Sequence, residues 1–142
     1  LDIFSNWQAN GGAVTLEALS ATKKEDVKYI LEYLREAPLF EAVSVNDRDF
    51  ILCHSGLGNF SKDKKLSQYT PHELLWTRPT LYTDYFDNGI TVIFGHTPTV
   101  FLGEKYTRRA CFSETWINID TGAALGYAPM LLRLDDMKAF YF

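Results

Sequence analysis

Two of the three histidines in this 142-residue chain occupy the same kind of place. His54 stands in Cys53-His54-Ser55-Gly56 and His96 in Gly95-His96-Thr97-Pro98, and each follows an apolar run, Phe50–Cys53 in one case and Ile90–Phe94 in the other. A neutral imidazole is the commonest protein metal ligand, and two of them at neighbouring strand ends would supply part of a first coordination shell. The alternative is equally plain: histidines at strand ends that serve as polar loop residues with their own hydrogen bonds. No short paired motif links the two positions, so the residues by themselves leave both readings open. His72 sits where the first turn of a capped helix would face solvent.

The elements that would position these side chains can be read from periodicity. Thr22 and Glu25 have the spacing of a capping box, and Val27, Ile30, Leu31 and Leu34 form one apolar helical face before Pro38, which predicts a helix there. Residues 39–56 read as two strands around an Asn46-Asp47 turn, the second delivering His54 at its carboxyl end. Thr70 with Glu73, and Pro71 at the first helical position, predict a short second helix ending near Pro79. Residues 90–95 form a β-branched strand that delivers His96, followed by a strand at 116–120 and a hairpin around Asp135, Asp136 and Met137. Trp7, Trp76 and Trp116 are expected in or at the edge of the core. Gly122 and Gly126 are expected in turns that need a positive φ. The pattern is mixed α/β, strand-rich in its second half, with no internal repeat and no visible domain boundary, so residues 1–142 are taken as one domain segment.

A formal net charge of −4 argues against general nucleic-acid binding. No apolar stretch is long enough to span a bilayer and no membrane association is expected. The amino-terminal residues lack the layout of a secretory signal, and Cys53 and Cys111 lie in apolar surroundings, so a cytoplasmic protein with two reduced, packed cysteines is the expectation. The chain opens at Leu1 directly into a tryptophan-containing segment, which suggests a piece of something longer.

Several stretches together carry a resemblance. "WQANGGAVTLEAL", "ILCHSGL", "LLWTRP", "VIFGHTPT" and "INIDTGAALGYAPMLLRLDD", in that order, resemble the second half of the calcineurin-like metallophosphoesterase superfamily, in particular the bacterial and phage-type serine/threonine protein phosphatases and their dinucleoside tetraphosphatase relatives. The resemblance implies the carboxyl-terminal portion of an α/β/β/α sandwich. It implies that His54 and His96 are ligands of one metal in a centre of two divalent ions, manganese by first expectation with iron or zinc compatible with the same donors. It also implies that Arg78 contacts a substrate phosphate oxygen, turned towards the same crevice by the short helix that ends just before it. Such a metal pair lowers the pKa of a bridging water and stabilises both ends of an in-line displacement, while a guanidinium offers two parallel hydrogen bonds to phosphate. The implied substrate is a phosphorylated protein or a small phosphate ester.

The chain also departs from that pattern. The family's Gly-Asp-x-His-Gly, Gly-Asp-x-Val-Asp-Arg-Gly and Gly-Asn-His-Glu motifs, which bring the remaining metal ligands and the leaving-group acid, are not in this sequence. No residue here is assigned as a catalytic acid or base, and Asp120, the one acidic residue at a strand end, reads as a loop residue bonding nearby amides. The expectation is a metallophosphatase when intact, with this chain supplying part of the site and inactive alone. A dinucleoside polyphosphate hydrolase and a non-catalytic scaffold with remnant histidines are the alternatives.

Overall fold

A computed structural model describes residues 2–142. The chain divides into two compact units, residues 1–38 and residues 39–142, where the sequence shows no boundary.

The first unit is helical. Helix α1 (Ile3–Trp7) is capped by Asp2, whose carboxylate accepts from the Ser5 amide at 2.9 Å. A kinked turn at Asn10-Gly11 leads into α2 (Ala13–Ser20), and α3 (Lys24–Glu36) follows. Helix α3 has Glu25 and Asp26 in its first turn and Arg35 in its last, the arrangement that complements a helix dipole. The capping box expected from Thr22 and Glu25 does not form. The helix begins one residue later, with Lys23 as its cap, because the Thr22 hydroxyl donates to the Ala18 carbonyl at 2.8 Å and so closes the end of α2 instead. Trp7 is partly exposed rather than packed in a core, at 39%.

The second unit is built on a mixed five-stranded sheet in the order β1-β2-β3-β5-β4, comprising β1 (Phe40–Val45), β2 (Arg48–Cys53), β3 (Thr91–Phe94), β4 (Cys111–Phe112) and β5 (Trp116–Asn118). Strands β1 and β2 form an antiparallel hairpin, and its turn residues Asn46 and Asp47 have φ of 49° and 59°, the double left-handed turn that matches strand twist. Strands β2, β3 and β5 are parallel, with Ile51 opposite Val92 and Val92 opposite Trp116. Alternate residues therefore face opposite ways. Ile51, Val92, Phe94 and Trp116 join Leu57, Tyr69, Leu74 and Tyr85 on one face, while Phe50, Ile93 and Ile117 pack on the other. That second face is covered by the hairpin β6 (Met130–Arg133) and β7 (Lys138–Tyr141) through Leu132, Leu134 and Met137. Burial on both faces explains why these strands read as continuous apolar runs. Cys53 is half-buried and Cys111 buried, and both are free thiols.

Helix α4 (Pro71–Leu75) starts as expected: the Thr70 hydroxyl accepts from the Glu73 amide, and the Glu73 carboxylate accepts from the Thr70 amide at 2.9 Å. It ends at Leu75, four residues before Pro79, because the Trp76 backbone leaves helical geometry. His72 is exposed on it. Gly122 and Gly126 have φ of 88° and 84° on either side of a short turn, a conformation without cost only for glycine. Among the described residues no helix is long and apolar enough to cross a membrane.

Glu73 does more than cap. Its carboxylate also accepts from Lys64 Nζ at 2.7 Å and Asn59 Nδ2 at 2.9 Å. The lysine first, then the Thr70 amide and Asn59, hold the carboxyl down to about 2 from an ordinary 4.5. A depressed carboxyl stabilises the fold fully above its unfolded pKa and loses that contribution as pH falls through the folded one. Denaturation midpoints measured from pH 5 to pH 2 should fall with acid in the native chain, and Glu73→Gln should flatten that dependence between about 4.5 and about 2. An unchanged acid slope in the variant would remove this network from the account.

Candidate functional site

Three parallel strands must end on the same edge of their sheet, and here β2, β3 and β5 deliver His54, His96 and Asp120 to that edge. The three residues line one recess of about 370 Å³, together with Cys53 and Phe94 among others. His54 Nε2 lies 3.0 Å from His96 Nδ1, with ring centroids 4.8 Å apart and the rings inclined at 55°. The two loops are also joined through the backbone, the Gly95 amide donating to the His54 carbonyl at 2.9 Å.

His96 has a positive φ of 67°, and the Thr97 amide closes back on the Gly95 carbonyl at 2.7 Å. This is a γ-turn with the imidazole residue at its centre and a left-handed backbone, the rarer and more strained of the two forms. Holding a non-glycine residue there costs on the order of 1–3 kcal/mol, so its surroundings must impose it. They do so through Asn118, fully buried at the end of β5: its Nδ2 donates to the Thr97 carbonyl at 2.8 Å and its Oδ1 accepts from the Asp120 amide at 2.9 Å. The Thr99 amide in turn donates to the Asp120 carbonyl at 2.8 Å. One side-chain amide thus ties the loop after β3 to the loop after β5.

The His96 imidazole has its pKa lowered below the ordinary 6.5, first by burial, then by the electrostatic influence of the neighbouring His54 and Arg78, with Asp120 pulling the other way. It is neutral at neutral pH, the form that can donate a lone pair. Its Nε2 is buried without a hydrogen-bond partner, and Trp76 stands edge-on to the ring at 5.8 Å. Trp76 is therefore a partly exposed wall of the histidine site, at 47%, rather than a core residue; Trp116 alone of the three tryptophans is fully buried.

Arg78 reaches the residue after His96, Nη1 donating to Thr97 Oγ1 at 3.2 Å. Among the described residues no carboxylate forms an ion pair with it. Its position follows from Ser55, completely buried directly after His54. The Ser55 hydroxyl donates to the Leu74 carbonyl at 2.8 Å and accepts from the Thr77 amide at 3.0 Å, while the Ser55 amide donates to the same Leu74 carbonyl at 3.1 Å. The end of α4 is thereby fixed to the loop that carries His54, and Arg78 follows one residue after Thr77. Asp120 makes a local turn, its Oδ1 accepting from the Gly122 amide at 3.0 Å.

The structure thus brings His54, His96 and Arg78 to one end of the sheet. Among the described residues no group of three or more His, Cys, Asp or Glu side chains is arranged to hold a metal ion. Ser55 and Asn118, which position the site, carry no motif of their own; a polar residue within an otherwise apolar strand run was the available signal for Asn118. Neither a protein-family model nor a curated protein matches this chain.

Asn118→Ala should leave the Thr97 carbonyl and the Asp120 amide buried without partners, at about 1–3 kcal/mol each. The prediction is a loss of stability of that order in denaturant titration, together with a His96 imidazole pKa, followed by NMR, that moves up towards 6.5 as the turn opens. A destabilised variant whose His96 titrates as before would show that the amide supports the sheet but not the turn.

Proposed function

We propose that this chain is the carboxyl-terminal portion of a metal-dependent phosphoric ester hydrolase of the serine/threonine protein phosphatase type, built on a metallophosphoesterase sandwich and acting in the cytoplasm. The observation that carries the reading is the paired imidazoles of His54 and His96 beside an arginine without a carboxylate partner. His54 Nε2 and His96 Nδ1 lie 3.0 Å apart, a hydrogen-bond distance in the free chain and close enough that one ion could take both as ligands. The depressed His96 pKa supplies the neutral ring that ligation needs. The donors present therefore fit a share of a metal shell, with carboxylates from outside this chain completing it.

Two divalent ions, manganese, iron or zinc, would supply a water activated at neutral pH and charge stabilisation for in-line attack on phosphorus. This chain's own residues do the rest of their share by position. His54 and His96 would hold one ion at the carboxyl ends of β2 and β3. Arg78 binds a phosphate oxygen: Thr97 occupies one of its five donors, so the guanidinium retains a face for the bidentate pairing that suits phosphate. Asn118 and Ser55 keep these three groups in register. The substrate is a phosphorylated protein or a small phosphate ester.

With two imidazoles as its metal donors and the Asp120 carboxylate engaged by the Gly122 amide, the isolated chain should bind manganese weakly and show negligible turnover of an aryl phosphate, well under ~1 per second. Isothermal titration at pH 7.5 should show that weak binding lost in His54→Ala and in His96→Ala and retained in Arg78→Ala, whereas Arg78→Ala should lose affinity for inorganic phosphate. Binding should also decline as pH falls below ~6.5, where protonated imidazole no longer ligates. Equal manganese binding by the native chain and both histidine variants would overturn the reading.

A further inference from the structure

Beside Arg78 and Thr97 lies a second recess of about 350 Å³, with neither histidine in its lining. Arg78, Thr97 and Thr80 line it together with Pro79, Leu81 and Leu102, and Tyr82 and Phe101 complete the wall. Tyr82 is 97% exposed and Phe101 67% exposed, and among the described residues neither ring stacks on another aromatic side chain. Large apolar side chains left open around a concave surface, with one charged group at its side, are the composition of a ligand pocket rather than of a solvated loop. No acidic residue lines the recess, so the guanidinium is the only full charge it offers.

That combination selects an anion attached to a flat apolar body. We propose that this recess receives the aromatic ring of a phosphate ester whose phosphate is held by Arg78; the proposal rests on the phosphate-binding reading of Arg78 given above. Tyr82 and Phe101 supply offset or edge-on ring contacts, and Pro79, Leu81 and Leu102 exclude water from the ring's remaining surface. An aliphatic phosphate ester would satisfy Arg78 equally but leave the apolar walls wet. The recess is therefore a specificity element, acting on what the phosphate is attached to. The ring can come from an aryl ester such as phosphotyrosine or from the base of a nucleotide, since both present a flat π-face tethered to a dianion.

The test compares phenylphosphonate with methylphosphonate, which share the dianion and resist hydrolysis, by calorimetric titration of the purified chain with and without manganese. Phenylphosphonate should bind about fivefold to tenfold more tightly, the gain expected of one or two aromatic contacts. Phe101→Ala, and the double variant Tyr82→Ala/Phe101→Ala, should abolish that preference while leaving methylphosphonate affinity unchanged; both rings are exposed, so neither change threatens the fold. O-Phosphotyrosine and adenosine 5′-monophosphate as further ligands identify the source, and a gain over methylphosphonate by either supports the proposal. Equal affinity for all of these ligands, no detectable binding of any, or a phenyl preference that survives the double variant, overturns it. Failure of manganese to bind, with the ring preference intact, would count against the hydrolase reading and leave the recess standing.

Discussion

The parallel alignment of β2, β3 and β5 is the constraint on which the second unit depends. Parallel neighbours cannot be joined by a tight turn, so each pair needs a long crossover. The crossover from β2 to β3 contains α4 and Arg78, and the one from β3 to β5 contains the His96 turn and Phe101. Every group assigned a chemical role thus lies on a connection that the sheet makes obligatory, and all of them emerge at the edge where the parallel strands end. Val92 at the centre of β3 is completely buried, with sheet partners on both sides, so the strand that aims His96 has little freedom to tilt.

The side chains that hold this arrangement are not those that would do chemistry. Asn118 and Ser55 are fully buried, and each satisfies both a donor and an acceptor across two loops. Burying such groups is tolerable only when every bond is made, which makes them specific: a loop displaced by a residue would leave them unpaired. The left-handed backbone of His96 is stabilised by this satisfied network.

The parts legible in the sequence were those governed by local rules. The β1–β2 hairpin announces itself through Asn46-Asp47, the start of α4 through Thr70-Pro71-x-Glu73, and β3 through its run of β-branched residues. Thr22 misled because its hydroxyl has two acceptable uses, at the start of α3 or the end of α2, and periodicity cannot choose between them. Strand β4, with two residues, falls below any periodic signal. Trp76 is expected in or at the edge of the core from its residue type alone, whereas its place beside His96 depends on how α4 meets the loop after β3. The meeting of His54 and His96 follows from their matching places at strand ends once β2 and β3 are neighbours, while their 3.0 Å approach depends on the whole sheet. The resemblance to metallophosphoesterases assigns them a role on the strength of motifs alone, and among the described residues no group of three or more possible ligands is gathered around them.

The β1–β2 turn is latched to the last hairpin. Arg48 donates to the Leu134 carbonyl at 2.7 Å and Asn46 to the Asp135 carbonyl at 3.1 Å, bonds that span more than eighty residues of sequence. On a ribosome, which releases the chain from its amino end, the face formed by Phe50, Ile93 and Ile117 therefore waits for residues 130–141 before it is covered. Contacts of such long sequence separation form late and slow folding, since loop closure must precede them. During that interval the nascent sheet exposes its apolar side, and the rate of translation over the final hairpin sets how long a chaperone or a neighbouring chain has to occupy it.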